Sequence, residues 1–126
     1  PYYSMPLARV TTALTRAAGR LETPAPLRDG LTRILEGIVE LRESARGRRA
    51  AQLEHVGEAL ARWDAELMGV ARASVDAASM AAIRSEAADE LQIYRARMPV
   101  DMWARSLDVA TNRLLRERLH LPVLEL

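Results

Sequence analysis

The stretch LEHVGEALARWDAELMGV, residues 53–70, decides the fold because its apolar residues recur at alternating steps of three and four. Those residues are Leu53, Val56, Leu60, Trp63, Leu67 and Val70. This spacing places them on one face of an α-helix. On the opposite side, Glu58, Arg62 and Glu66 follow each other at four-residue steps, which is typical of a solvent-facing surface. The stretch therefore predicts an amphipathic helix that ends near residues 74–76, where Ser and Asp disfavour a helix interior.

The same helical spacing recurs on both sides of this stretch. The other predicted helices run from Ser4 to Gly19 or Arg20, from Leu27 to Ala45, from Met80 to Met98, and from Asp101, the expected N-cap, toward the C-terminus. All six prolines lie where a helix would begin, end or be absent. No segment alternates as a strand would. The chain is therefore predicted to be one all-α domain over residues 1–126, an antiparallel helical bundle of four to five helices.

Composition restricts the classes of protein that remain. The chain has no cysteine, which excludes disulfides, and its two histidines cannot assemble a zinc site of the usual ligand types. The 18 basic and 17 acidic residues give a net charge of +1. The longest stretch without a charged residue is 1–8, which is too short for a membrane-spanning helix. The first residues do not show a basic segment followed by an apolar one, so we expect no secretory signal. We expect a cytoplasmic protein with no membrane partner.

Two pairs of carboxylates bear on enzymatic activity. Glu40 with Glu43, and Glu86 with Asp89, resemble the pairs that hold magnesium in all-helical nucleotide pyrophosphohydrolases. The resemblance covers these four positions and implies magnesium-dependent nucleotide hydrolysis. Helical geometry instead directs them away from the apolar faces, whereas a magnesium site needs convergent carboxylates. No nucleophile motif or glycine-rich phosphate loop is present in the sequence. We therefore predict a non-enzymatic protein without metal or cofactor, with this hydrolase as the enzyme alternative.

Apolar residues beside the main helical faces indicate association with another protein. The predicted second and fifth helices carry such residues, and the C-terminal segment 121–126 is too apolar to remain in water, so it is expected to pack on the bundle or on a partner. The candidate association surface consists of Leu35, Val39, Leu115, Leu119, Leu124 and Leu126. The leading prediction is a subunit that self-associates or docks into a larger complex. The alternative is that these residues pack within a single bundle.

The distribution of arginines favours a second function, contact with nucleic acid. Residues 1–49 hold nine arginines against five acidic residues, and residues 50–94 hold three against eight. The candidate phosphate contacts are Arg9, Arg16 and Arg20 on one face of the first helix, and Arg42, Arg46, Arg48 and Arg49 around the following turn. Attraction between basic and acidic helices would explain the same asymmetry.

Overall fold

The computed structural model describes residues 4–44 and 50–125, and the side chains of residues 7–43 and 55–125. Within these ranges the chain forms α-helices and no strand, which confirms the predicted all-α helical bundle. The α-helices are α1 (Ser4–Ala18), α2 (Ala25–Ser44), α3 (Ala50–Ala73), α4 (Ala77–Leu91) and α5 (Val100–Arg118), and a 3-10 helix (Gln92–Arg97) joins α4 to α5.

Two helical hairpins lie on either side of α3. The first hairpin packs α1 on α2, and the second packs α4 on α5. Helix α3 contacts α2 on one side and α5 on the other. The second hairpin is therefore attached to the bundle mainly through α5, and α4 is an outer helix.

The core is built from the apolar faces that the helical spacing predicts. Its fully buried large side chains include Leu7, Leu14, Leu27, Leu31, Ile34, Ile38, Val56, Leu60, Leu67 and Leu115. Each buried side chain of this size contributes about 1.5–3 kcal/mol relative to full exposure. Trp63 is partly buried and packs against this core, as expected from its place on the apolar face of α3.

Side chains fix the connection between α1 and α2. The guanidinium of Arg28 donates to the carbonyl oxygens of Ala18 and Thr23, both at 3.1 Å, and to that of Arg20 at 3.3 Å. The buried hydroxyl of Thr23 donates to the carbonyl oxygen of Ala17 at 2.8 Å. These bonds tie the carbonyls at the end of α1 and in the connection to side chains of the following segment.

The structure differs from the sequence prediction between α4 and α5. The expected α-helix up to Met98 is wrong, because residues 92–97 form a 3-10 helix in which no residue is buried. The expected N-cap role of Asp101 is also wrong. Pro99 occupies the N-cap position, and the carboxylate of Asp101 accepts a hydrogen bond from Arg105 within the first turns of α5. Because none of its residues is buried, tertiary packing does not add to the stability of an α-helix in this segment.

The C-terminal segment turns back onto the bundle. His120 has a φ of 55°, and the amide of Leu121 donates to the carbonyl oxygen of Arg116 at 2.9 Å, which is the bond pattern of a Schellman helix end. Leu121 and Leu124 are buried. The segment therefore packs on its own bundle. Among the helices that the structure describes, none is long and apolar enough to cross a membrane.

The start of α4 provides a pH-dependent prediction. The carboxylate of Asp76 accepts from the Ser79 amide at 2.7 Å and from the Ser79 hydroxyl at 3.1 Å, and these bonds hold the pKa of Asp76 below its usual value. Because the pKa is lower in the folded state, ionised Asp76 stabilises the folded state at pH values above the usual pKa of Asp. This stabilisation is lost as the pH falls through the lower pKa of the folded state. Asp76→Ala should therefore destabilise the protein at neutral pH, and the difference from wild type should shrink below about pH 4.

Urea unfolding at a series of pH values measures this effect. Asp76→Asn is the matched control, because Asn is also a good N-cap but carries no charge. A difference between wild type and Asp76→Ala that is independent of pH would contradict the role of the charge.

Candidate interaction surfaces

The end of the α4–α5 hairpin, residues 91–103, is called here the hairpin tip. Four large apolar side chains are exposed there: Ile93 (77% exposed), Tyr94 (54%), Val100 (86%) and Met102 (52%). Two come from the 3-10 helix and two from the first turn of α5, so all four lie within ten residues of the chain. Single exposed apolar residues are common, whereas large contiguous groups of them are typical of interaction sites in other proteins.

The hairpin tip is also basic. The guanidinium of Arg95 lies 5.0 Å from the centroid of the Trp103 ring, a cation–π contact that links the 3-10 helix to α5. The side chain of Arg97 has no carboxylate partner among the described residues. The predicted α-helix up to Met98 would place Tyr94 on its apolar face. Tyr94 is instead exposed, because α4 ends at Leu91.

Helix α1 carries a basic face formed by Arg9, Thr12 and Arg16, called here the α1 basic face. Both arginines are exposed, and neither has a carboxylate partner within the part of the chain that the structure describes. They line an open depression of about 310 Å³ together with Ala8, Thr12 and Ala13. Arg20 differs from them because its guanidinium pairs with Glu22 at 3.1 Å. Arg9 and Arg16 are therefore the arginines of α1 that remain available to an anion.

The second predicted arginine cluster is described only in part. Arg42 is exposed near the end of α2. Arg46, Arg48 and Arg49 lie outside the described residues.

The solvent-facing side of α2 carries four carboxylates, called here the α2 acidic face. Its members are Asp29, Glu36, Glu40 and Glu43. Their spacing of seven, four and three residues aligns them along one side of the helix over about 21 Å. All four are exposed, and among the described side chains none forms an ion pair. Val39, which is 52% exposed, lies beside this row.

Helices α4 and α5 carry opposite charges that form ion pairs with each other. Helix α4 pairs with α5 through Glu86 with Arg118, Glu90 with Arg113, and Arg84 with Asp108 at 3.5 Å. This is the attraction between acidic and basic helices that the sequence allowed. It does not extend to the α1 basic face or the α2 acidic face, whose charges remain unpaired among the described residues.

The carboxylate pairs do not form a metal centre in the described part of the chain. No group of three or more His, Cys, Asp or Glu residues comes together there. Glu40 and Glu43 are exposed on α2, and Glu86 is held by Arg118 of α5. The resemblance to magnesium-binding pairs is therefore one of spacing, without convergence of the side chains.

The candidate association residues fall into different environments. Leu115 is fully buried and Leu124 is 3% exposed, so both belong to the core of this chain and present no surface to a partner. Leu35 and Leu119 are partly buried and pack against the core. Val39 is the one described member of the set that is exposed, and Leu126 lies outside the described residues.

Sequence reasoning missed the hairpin tip as a surface. It assigned residues up to 98 to an α-helix, where apolar spacing implies burial. Two features of the sequence could have indicated this surface. Apolar and aromatic residues are dense around Pro99, and the residue before a proline disfavours the α-helical conformation.

Comparisons with protein-family models, curated proteins and solved structures found no match for this chain. Three surfaces characterise it: the basic and apolar hairpin tip, the α1 basic face and the α2 acidic face. The hairpin tip alone combines exposed apolar area with unneutralised positive charge. Apolar area drives association, and charge selects the partner.

Proposed function

We propose that this protein is a non-enzymatic helical-bundle subunit that works by self-association or by docking into a larger assembly. The observation that carries the proposal is the exposure of Ile93, Tyr94, Val100 and Met102 on the hairpin tip. Burial of these side chains against a second surface would lower the free energy by about 25 cal/mol per Å² of apolar area removed from water.

The attachment of the hairpin supports the same function. Helix α4 packs mainly on α5, and ion pairs between the two helices hold the hairpin together. The hairpin tip is therefore held by two helices that are fixed to each other. A surface that is ordered before binding loses less conformational entropy when it binds.

Self-association is tested by the molar mass of the protein in solution. We expect the weight-average mass in sedimentation equilibrium to rise above the 14.0 kDa of one chain between micromolar and millimolar concentration. The variant Ile93→Asp with Val100→Asp should remain monomeric, because charges would have to be buried. Leu21→Asp is the control, since Leu21 is 96% exposed on the α1–α2 connection and lies far from residues 93–100 in sequence. A wild-type protein that stays monomeric throughout would contradict self-association.

A second candidate function is contact with nucleic acid through the α1 basic face. It is favoured by the absence of carboxylate partners for Arg9 and Arg16 among the described residues, and by the open depression between them. Guanidinium groups bind phosphate oxygens, and each phosphate contact releases counterions, which makes the affinity depend on salt.

The salt dependence gives a quantitative prediction for this candidate. Fluorescence anisotropy of labelled oligonucleotides should show that Arg9→Gln with Arg16→Gln lowers the slope of log affinity against log salt by about 2. Adding Arg20→Gln should change the slope less, because Arg20 already pairs with Glu22. Arg62→Gln, an exposed arginine of α3, is the control. An unchanged slope in the double variant would exclude this face as the contact.

A further inference from the structure

We infer that the hairpin tip of one copy binds the α2 acidic face of a second copy, in a head-to-tail arrangement. This inference rests on the proposed function and names the occupant of the tip. It follows from the charges and apolar side chains that each surface leaves unpartnered in a single chain.

The two surfaces are complementary in charge. The tip presents Arg97, with no carboxylate partner in the described ranges, and Arg95, which rests on Trp103. The α2 acidic face presents carboxylates that are likewise unpaired among the described residues. Three carboxylates of the α4–α5 hairpin, Glu86, Glu90 and Asp108, are less available, because arginines of the same hairpin already bind them. Exposed Glu58, Asp89 and Glu125 are also unpaired among the described residues, but they do not form a row of four along one helix as the α2 carboxylates do.

The two surfaces also match in apolar character. Val39 is exposed beside the carboxylates, and Leu35 next to it is partly buried. Tip residues such as Ile93 and Val100 provide the matching apolar area. The α1 basic face is a weaker match for the same carboxylates, because among the side chains described in α1, those of residues 7–18, no large apolar one is exposed.

Contact between two identical tips is disfavoured by their charge. A symmetric contact would place two patches together that each carry Arg95 and Arg97. Binding to α2 of a second copy instead leaves one tip and one acidic face free at the two ends of each dimer. Such a contact continues into a ring or an open chain.

Two complementary variants test the head-to-tail contact. The tip variant is Ile93→Asp with Val100→Asp, and the face variant is Val39→Arg with Glu40→Arg. All four positions are exposed, and circular dichroism checks that both variants remain folded. Each variant alone should be monomeric, because it lacks one half of every contact. An equimolar mixture should form a 1:1 dimer of twice 14.0 kDa and stop there, because it retains one intact tip and one intact acidic face.

The alternatives give different results. Arg9→Gln with Arg16→Gln is the matched charge control and should associate like wild type. A mixture that stays monomeric, or a face variant that associates like wild type, overturns the inference while leaving the proposed function intact. Wild-type protein that is monomeric at every concentration overturns the inference together with the self-association form of the proposed function.

Discussion

Replacing Asp64 with Ala is expected to lower the free energy of unfolding by about 2–3 kcal/mol. Asp64 of α3 accepts two hydrogen bonds from the guanidinium of Arg116 of α5, at 2.7 and 3.0 Å. The two side chains are 24% and 14% exposed, so water screens this pair much less than the surface pairs of the hairpin.

The same pair holds the C-terminal segment. The amide of Leu124 donates to Asp64 at 3.1 Å, and Arg116 also donates to the carbonyl oxygen of Pro122 at 2.8 Å. Without Asp64, a largely buried guanidinium keeps only a carbonyl partner, and the Leu124 amide loses its acceptor. Loss of a fully buried partner costs about 3–5 kcal/mol, and the remaining exposure reduces that cost here.

Urea unfolding followed by circular dichroism measures the loss. Hydrogen exchange at Leu124 provides a local readout, because the amide should exchange faster when its acceptor is removed. Arg105→Ala is the control, since Arg105 pairs with Asp101 where the side chains are 80% and 74% exposed, and it should cost less than about 1 kcal/mol. Equal losses in the two variants would show that the Asp64–Arg116 pair contributes no more than a surface pair.

The helices were predictable from sequence wherever a neighbouring helix buries the apolar face. The heptad spacing of α2 and α3 predicts Leu31, Ile38 and Leu60 as buried, and all three are. The spacing fails beyond Leu91, where the chain continues with apolar residues but no residue of the 3-10 helix is buried. Apolar residues at helical spacing define one face of a helix, but that face is buried only if another part of the chain packs against it.

The candidate surfaces were predictable only in part, for the same reason. Leu115 and Val39 look alike in sequence, as apolar residues beside a main helical face. Leu115 is fully buried because α5 lies between α3 and α4, whereas Val39 is exposed on the outer side of α2. Which second face meets a neighbour depends on the order of the helices in the bundle, and spacing within one helix carries no information about that order.

The unpaired charges of α1 and α2 are informative because α4 and α5 pair many of theirs. From composition alone, basic and acidic segments could all have neutralised each other. The structure shows that α4 and α5 do so, while Arg9 and Arg16 on α1 and the carboxylates of α2 remain unpaired in the described part of the chain. These residual charges distinguish the proposed partners, since an acidic surface would select the hairpin tip and a phosphate backbone would select α1.

Helices α2 and α3 pack closely where α2 carries glycine, and this packing predicts opposite effects for Gly37→Ala in α2 and Gly69→Ala in α3. A Cβ atom on Gly37 would lie 2.7 Å from Cζ2 of Trp63, and one on Gly30 would lie 3.4 Å from a methyl group of Val70. The two glycines are seven residues apart on α2, and their contacts are seven apart on α3. Glycine therefore allows the two helices to approach each other along this line.

Gly37→Ala is expected to lower the free energy of unfolding by about 1 kcal/mol. Alanine favours the helix over glycine by about 1 kcal/mol. Moving the bulky Trp63 ring, which packs against the core, costs about 1–3 kcal/mol and outweighs that gain.

Gly69→Ala in α3 is the matched control, because a Cβ atom there meets nothing within 4 Å. Only the gain in helix propensity remains at that exposed position, so this variant should be more stable than wild type by about 1 kcal/mol. The two variants should thus differ by about 2 kcal/mol in urea unfolding, although both replace a helical glycine with alanine. Stabilisation by both would show that the Trp63 ring moves freely away from α2, and that the contact between α2 and α3 does not depend on glycine.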